Sequence, residues 1–411
     1  MLLVLRDSEL RFEPNPLLIP MLLLLAYGVL QMLPLGIGKS SISFDPYLTM
    51  QACIKLLASI VFFAMFATFI SDDEHRKGAV KVILGVCIVI ALIGVGQNYV
   101  GRALWRRGVF GPFVNRNHFA GFLEMGIGLA SAAIVARSAK IEMMAVHACG
   151  VLIMCAGLVL SASRGGIMAL AAQFVFLAIM ALTTAGSKSE SGGRSKVRAF
   201  VRVAGVLGLG VGVTMIAILL VGSERLVANF AQAQDTFTAE LLNNERYNRR
   251  DIWGAAWEMI KQHPVTGVGL GAFQVAYTQY DPSSGTQRVE QAHSDYLQIL
   301  SDAGIIGGVL AALFLAILFY RGFKAAATQD RHRKAIALGA LTGCVGIVVH
   351  SLVDFNLQVT SNAQLFLALA ALATPRRERS GGLVRRRRTS HSKKRSLEEE
   401  EEWSGAGVSP R

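Results

Sequence analysis

The sequence predicts an all-α polytopic membrane protein, and three observations support this fold class. Hydrophobic residues make up 53% of the 411 positions and charged residues only 17%, so the chain has more apolar surface than a soluble core of this size could bury. The apolar residues recur in runs of about twenty, the length of a helix that crosses a bilayer. Most lysines and arginines fall in alternate loops between these runs, as in multi-span proteins.

About ten runs are predicted to be transmembrane helices, because lipid admits only segments that satisfy their own backbone hydrogen bonds. They are 17–35, 52–70, 78–96, 119–136, 145–161, 166–185, 203–222, 305–320, 335–353 and 359–374. We therefore divide the chain into four parts. These are a bundle of about seven spans in 1–222, a large and mostly helical polar loop in 223–304, about three spans in 305–374, and a disordered tail, basic and then acidic, in 375–411.

The basic loops predict the orientation. Both termini and the loops 71–77, 137–144, 188–202 and 321–334 carry most of the lysines and arginines, so we place them in the cytoplasm. The loop 223–304 then faces the opposite side. The outer loop 97–118 breaks the rule with four arginines that include Arg116. Snorkelling to lipid phosphates and binding of an anionic ligand are both open explanations.

The charge and the cysteines narrow the classes of partner. The net charge is +13, but much of it lies in the tail beside a predicted span. Such a cluster meets anionic lipid head groups more readily than nucleic acid. The five cysteines all lie in apolar runs without a CxxC spacing, which indicates buried apolar side chains and neither a disulfide framework nor a metal site.

The polar loop 223–304 holds the residues best suited to chemistry. Arg249 and Arg250 begin an amphipathic helix whose predicted apolar face is Ile252, Trp253, Ala256, Trp257 and Ile260. Guanidinium groups bind phosphate oxygens in a bidentate way, so the arginines suit a diphosphate; a solvated basic helix end is the alternative. His293 can accept a proton near neutral pH, and Asp295 is close enough in sequence to assist it. A purely structural histidine is the plainer alternative.

Two motifs between spans place polar residues on the same side as this loop. Arg164 lies in a tight turn, Ser-Ala-Ser-Arg-Gly-Gly from position 161, where an arginine either snorkels or faces a polar cavity. Asn117 opens the span after Arg116, where it can cap the helix or line a site. The alternating glycines of 267–271 look like a phosphate cradle, but no βαβ unit surrounds them, so we predict a tight turn there.

Together these motifs resemble the O-antigen ligase and O-antigen polymerase superfamily. The matching segments are Asn-Arg-Asn-His-Phe-Ala-Gly from 115, the turn from 161, Arg-Arg-Asp-Ile-Trp from 249 and His-Ser-Asp-Tyr-Leu from 293. The resemblance implies a glycosyltransferase-C-like protein of the bacterial inner membrane with a large periplasmic loop. Such a protein transfers a glycan from undecaprenyl diphosphate to a hydroxyl of lipid A core, of a growing glycan or of a protein. It uses no metal, cofactor or nucleotide sugar.

The resemblance also implies roles for individual residues. In the family, an arginine at the Ser-Arg-Gly turn and one just before the loop tryptophan contact the diphosphate, and the loop histidine is needed for transfer. The corresponding positions are Arg164, Arg249, or Arg250 if the register slips by one, and His293. We expect the following residues to assist in diphosphate binding or to support the site: Arg250, Arg116, Asn117, Asp295 and Trp253.

Two departures from the family pattern leave the acceptor class open. The predicted spans are fewer than ligases often have, and Ser294 follows the histidine where asparagine is common. The alternative function is a multi-span secondary transporter of a small anionic solute. That class is expected to show paired broken helices in repeated halves of the chain, and we see no convincing internal repeat in this sequence.

Overall fold

The structure is a computed structural model of the chain. It describes residues 14–34, 41–100, 110–138, 140–185, short pieces between 204 and 216, 249–281 and 288–375. Within these residues the secondary structure is helical, with one isolated β-bridge between Phe110 and Phe113 and no named strand. The predicted all-α fold is confirmed. The predicted span 203–222 lies largely outside the described residues, as do 223–248 and 376–411.

The bounds of the helices agree with most of the predicted spans. The helices are α1 Leu18–Met32, α2 Pro46–Phe69, α3 Asp73–Val100, α4 Arg116–Val135, α5 Ile141–Leu160, α6 Arg164–Ala185, α7 Arg249–Gln262, α8 Phe273–Tyr280, α9 Asp295–Ala326, α10 Arg331–His350 and α11 Thr360–Ala373, with a short 3-10 helix at Asn356–Gln358. Seven of them, α2 to α6, α9 and α10, are long and apolar enough to cross a membrane, and α1 and α11 are shorter apolar helices. The chain is therefore a polytopic membrane protein.

Helix α9 differs most from the predicted spans. The sequence predicts a span from residue 305, whereas the helix begins at Asp295, where the side chain of Ser294 caps it by accepting the N–H of Leu297. Gly304 interrupts the helix with φ 60° and ψ −157°. Hydropathy located only the apolar part after the interruption, because the first nine residues form a partly polar helical segment. Residues 295–303, counted in the polar loop, are thus helical, and the kink at Gly304 separates them from the span.

Close packing of α4 against α10 forms the centre of the bundle. A β-carbon built on Gly128 would lie 2.5 Å from the backbone nitrogen of Gly343, and one built on Gly339 would lie 2.8 Å from the carbonyl oxygen of Leu129. The two backbones therefore approach as closely as only glycine permits, which is typical of helix pairs in membranes. From α6, the amide of Gln173 donates to the carbonyl of Glu124 in α4 at 2.8 Å and to that of Thr342 in α10 at 3.1 Å.

Polar contacts tie together the ends of helices at one end of the bundle. Arg333 at the start of α10 pairs with Asp73 at the start of α3, with an N–O distance of 2.8 Å. Asn15, just before α1, donates to the side chain of Thr374, just after α11, at 3.0 Å. The predicted cytoplasmic loops 71–77 and 321–334 adjoin this end. We call the opposite end the site end; the side of the membrane that each end faces stays a prediction.

The site end gathers the first residues of α4, α6, α9 and α11 and the last residues of α5 and α10. The N-terminal cap of α4 is Asn115, whose side chain accepts the N–H of Asn117 at 2.8 Å. The expectation that Asn117 caps this helix is therefore wrong, because the helix starts two residues earlier than that expectation requires. The side chain of Asn117 is free to serve the site instead.

Gly128→Ala tests the close packing of α4 and α10. The added methyl group would meet the backbone of Thr342 and Gly343, which cannot move aside as a flexible side chain can. We expect a loss of stability of about 1–3 kcal/mol, as for other overpacked core positions, seen as a lower Tm of the purified protein in detergent. Gly85→Ala in α3 is the control, because its added β-carbon has nothing within 4 Å. Equal Tm values for the two variants would contradict the packing described.

Candidate functional site

The carboxylate of Asp354 lies at the centre of the polar groups at the site end, and its side chain is 1% exposed. Oδ2 accepts a hydrogen bond from the amide of Asn117 and lies 3.5 Å from Nη2 of Arg249. Oδ1 accepts the backbone N–H of Phe355 at 2.9 Å and lies 3.7 Å from Nε2 of His118. The segment 351–355 after α10, which we call the acidic loop, thus joins α4 to the first residue of α7.

The charges of this group follow from its burial and its neighbours. Burial alone would raise the pKa of Asp354, but the His118 imidazole, the charge of Arg249 and the N–H of Phe355 lower it to about 2. Burial and the charge of Arg249 lower the pKa of His293, against an opposing effect of Asp354. At neutral pH the site therefore holds a carboxylate, a guanidinium and an uncharged His293 imidazole.

His293 lies just before α9 in a backbone conformation that residues with a β-carbon rarely adopt, with φ 50°. Hydrogen bonds on both sides hold it there. The N–H of Ala292 donates to the side chain of Gln298 at 2.7 Å, and the hydroxyl of Ser294 donates to the carbonyl of Ser351 at 3.3 Å. A strained residue so firmly held is typical of functional sites.

Phe355 connects His293 to the rest of the group. Its ring meets the His293 ring edge-on with 4.9 Å between centroids, and it meets the His118 ring in the same way at 4.7 Å. Two imidazoles, one from α4 and one from the residue just before the cap of α9, therefore contact one phenyl ring beside Asp354. The candidate catalytic histidine of the sequence analysis is thus part of the same cluster as Arg249 and Asn117.

Asp295, expected to assist His293, contacts the acidic loop. Its Oδ2 accepts the hydroxyl of Ser351 at 2.7 Å and the N–H of Leu357 at 3.1 Å, while its own N–H donates to the carbonyls of Ser351 and Asp354. Asp295 therefore attaches the start of α9 to the segment that carries Asp354. Asp295 thus supports the site indirectly, by holding the loop that carries Asp354.

Arg164 is the first residue of α6 and is exposed. The next residue, Gly165, lies directly against His350 at the end of α10, because a β-carbon built on Gly165 would be 2.6 Å from Cδ2 and Nε2 of the imidazole. The backbone N–H of Asp354 in turn donates to the carbonyl of His350 at 3.1 Å. The turn that carries Arg164 and the acidic loop therefore share His350 as a neighbour.

The remaining predicted residues lie around this cluster. Arg116, the first residue of α4, is half-buried and directly precedes Asn117, and Arg250 is exposed in the first turn of α7. Trp253 lies one turn after Arg249; its indole N–H is buried and has no hydrogen-bond partner within the described part of the chain. The buried face of α7 is Ile252, Ala255, Ala256 and Met259, and Trp257, expected on that face, is 55% exposed.

The glycine-rich turn 267–271 is a structural junction, as the sequence predicts. The backbone N–H groups of Gly267, Val268 and Gly269 donate to carbonyls of His263, Ser301 and Asp302. The next two donate to side chains, that of Leu270 to Gln31 at 3.0 Å and that of Gly271 to Asp302 at 3.1 Å. Because protein acceptors take these five N–H groups, they are not offered to a phosphate.

Sequence reasoning missed Asp354, His118 and the neighbouring His350. His118 stands inside a motif quoted for the family, whereas Asp354 and His350 flank the end of a predicted span without any motif around them. The available signal was the placement of an aspartate in the outer loop after 335–353, on the predicted side of His293. An acidic residue there needs a cation or donors to be buried.

Comparison with known proteins gives one family. A family model described as O-antigen ligase matches residues 149–312, which confirms the resemblance seen in the motifs. The matched segment contains Arg164, Arg249 and His293, whereas Asn117 and Asp354 lie outside it. None of the curated proteins matches the chain.

Asp354→Asn tests the charge at the centre of the cluster. A carboxylate whose pKa is lowered on folding stabilises the protein above its unfolded pKa, near 3.9, and that contribution is lost as pH falls towards about 2. We expect wild type to be more stable than Asp354→Asn at pH 7 by an amount on the order of 2 kcal/mol. The difference should shrink when Tm is measured at pH 3. A difference that stays constant between these pH values would show that Asp354 is not ionised in the folded protein.

Proposed function

From the O-antigen ligase match over residues 149–312, we propose that the chain transfers an oligosaccharide or polysaccharide from undecaprenyl diphosphate to an acceptor hydroxyl at the periplasmic face of the bacterial inner membrane, with both termini in the cytoplasm. The family implies glycan transfer. One observation carries the finer proposal: Arg249, the His293 imidazole and the Arg164 turn gather around Asp354 and His350 at one end of an apolar helical bundle.

The arginines suit a diphosphate leaving group. The Arg249 side chain is 43% exposed although Asp354 contacts it, so a ligand can reach its remaining donors. Arg164 is exposed at the first position of α6, where the helix dipole adds a partial positive charge. Guanidinium groups from two separate elements can stabilise the negative charge that develops on the diphosphate when the glycosidic bond breaks. Arg250 and Arg116 lie next in sequence to Arg249 and Asn117 and are proposed to assist.

The uncharged imidazole of His293 suits the second requirement of the reaction, which is removal of a proton from the acceptor hydroxyl. Its lowered pKa leaves the imidazole uncharged at neutral pH, so a nitrogen lone pair can take the proton of the acceptor hydroxyl. The acceptor oxygen then forms a bond to the anomeric carbon, the bond from that carbon to the diphosphate oxygen breaks, and undecaprenyl diphosphate leaves with the electron pair. The proposed reaction draws on side chains alone and needs no metal and no nucleotide sugar.

The location of the cluster fits a lipid-linked donor. It lies where apolar helices α4, α6, α9 and α10 start or end, so a polyprenyl chain can stay in lipid while its diphosphate and glycan reach water. The surface around the cluster would select the acceptor, which the proposal takes as lipid A core, a growing glycan or a protein. The family match favours glycan transfer over the transport of a small anion.

His293→Ala tests the proposed base. We expect normal expression and membrane insertion but a loss of glycan transfer of about 10²- to 10⁴-fold, the usual contribution of general base catalysis. The readout is the host's lipopolysaccharide ladder, secreted polysaccharide and glycoproteins after the variant replaces the wild-type chain; the pool that changes identifies the acceptor. His147→Ala, which alters a half-buried histidine in the first half of α5, is the control. Full transfer by His293→Ala would remove this residue from the mechanism.

The pH profile of transfer tests the electrostatic coupling of Arg249 to His293. A base must be uncharged to act, so activity is present above the pKa of His293 and is lost as pH falls through it. Arg249→Gln removes a positive charge that lowers this pKa, so we expect the acidic limb of the profile to move to higher pH. Arg249→Lys keeps the charge and should leave the limb near its wild-type position. Transfer is measured in membrane vesicles that contain the host's lipid-linked glycan; an unmoved limb in Arg249→Gln would rule out the coupling.

A further inference from the structure

A buried glutamate–histidine pair between α4 and the end of α10 has no part in the chemistry proposed above. Nδ1 of His350 lies 3.1 Å from Oε2 and 3.3 Å from Oε1 of Glu124, and both side chains are fully buried. Glu124 lies in α4, within a segment long enough to cross the membrane. An ionisable side chain at such a depth is costly unless it has a partner, so an apolar residue would fill the same space at a lower cost.

The pair belongs to a row of contacts along one face of α4. Asn117 donates to Asp354, the side chain of Asn356 occupies the space beside Gly121, and Glu124 binds His350. These α4 positions are spaced four and three residues apart and therefore lie on one side of the helix. This face of α4 therefore packs against the end of α10, the acidic loop and the residue that follows the loop.

His350 also contacts the element that carries Arg164. Its ring edge, Cδ2 and Nε2, fills the position of a β-carbon on Gly165, with 2.6 Å to each atom. Nε2 is buried and has no hydrogen-bond partner within the described residues. Because Glu124 binds the other ring nitrogen, it determines the plane in which the imidazole lies. A ring in another orientation would no longer occupy this space beside Gly165.

We propose that Glu124 and His350 form a positioning pair that sets the separation between the Arg164 turn and the acidic loop, so that Arg164 and Arg249 bind the same diphosphate. The loop is attached to His350 by the N–H of Asp354, which donates to its carbonyl at 3.1 Å, and Arg249 is attached to the loop by Asp354. Neither residue of the pair is proposed to touch the donor. The inference rests on the proposed function and adds to it the residues that hold its two cationic elements in register.

The test measures binding of undecaprenyl diphosphate to the full-length protein in lipid nanodiscs. Glu124→Ala and His350→Ala should each weaken binding roughly tenfold, and the double variant should be no weaker than either, because coupled residues show non-additive effects. Glu124→Gln should bind like wild type, since its amide oxygen still accepts from Nδ1–H. The Asp73→Ala control breaks the pair with Arg333 at the opposite end of α10 and should leave binding unchanged.

A second background separates positioning from general loss of stability. In Arg164→Ala, whose guanidinium is absent, Glu124→Ala should lower the affinity by less than about twofold, although its effect on Tm should persist. An equal loss of affinity in both backgrounds would show that the pair acts only on stability and would overturn the inference. Wild-type affinity in Glu124→Ala would overturn it as well. No binding by the wild-type protein would contradict the proposed function itself, so the two failures are distinguishable.

Discussion

The close approach of α4 and α10 is the constraint on which the site depends. Gly128 and Gly343 let the two backbones meet, and this contact fixes where α10 ends relative to the first residues of α4. The acidic loop then leaves α10 beside Asn117 and His118, so that Asp354 can be buried with donors on several sides. A bulkier residue at the helix contact would move that loop. The position of the acidic loop at the site end thus depends on small residues inside the bundle.

Asp354 carries a negative charge, whereas a site that binds an anion is expected to be positively charged. The difference has a physical explanation. A buried carboxylate costs free energy unless cations and donors surround it, and here it gathers Arg249, Asn117 and the nearby His118. Under the proposed function, this contact orients the Arg249 guanidinium before the donor binds. A bound diphosphate would then add to the interactions of a guanidinium already in place, which reduces the entropy lost on binding.

Hydropathy predicts most of this fold, because each span is a local property of about twenty residues. It misses the start of α9, where Asp295 to Ala303 form a partly polar helix before the kink at Gly304. Motifs predict Arg249, Asn117 and His293, but not that the first two meet at Asp354. That contact joins positions separated by 105 and 237 residues, and no periodicity or spacing in one sequence reveals it. The exposed side chain of Trp257 shows the same limit of sequence reasoning. Helical spacing groups residues on one face of a helix but does not reveal which of them another element buries.

The backbone at His293 links these constraints to function. A residue at φ 50° is unfavourable for any side chain with a β-carbon, and it persists only where neighbouring contacts over-determine it. Here those contacts are made by Gln298 and Ser351, and Ser351 belongs to the loop that Asp295 binds. The loop that places Asp354 therefore also holds the histidine in its strained conformation. Because both depend on the end of α10, the acidic loop contacts the segment around His293 and the Arg249 guanidinium at the same time; under the proposed function this holds the base and the diphosphate-binding group in one arrangement.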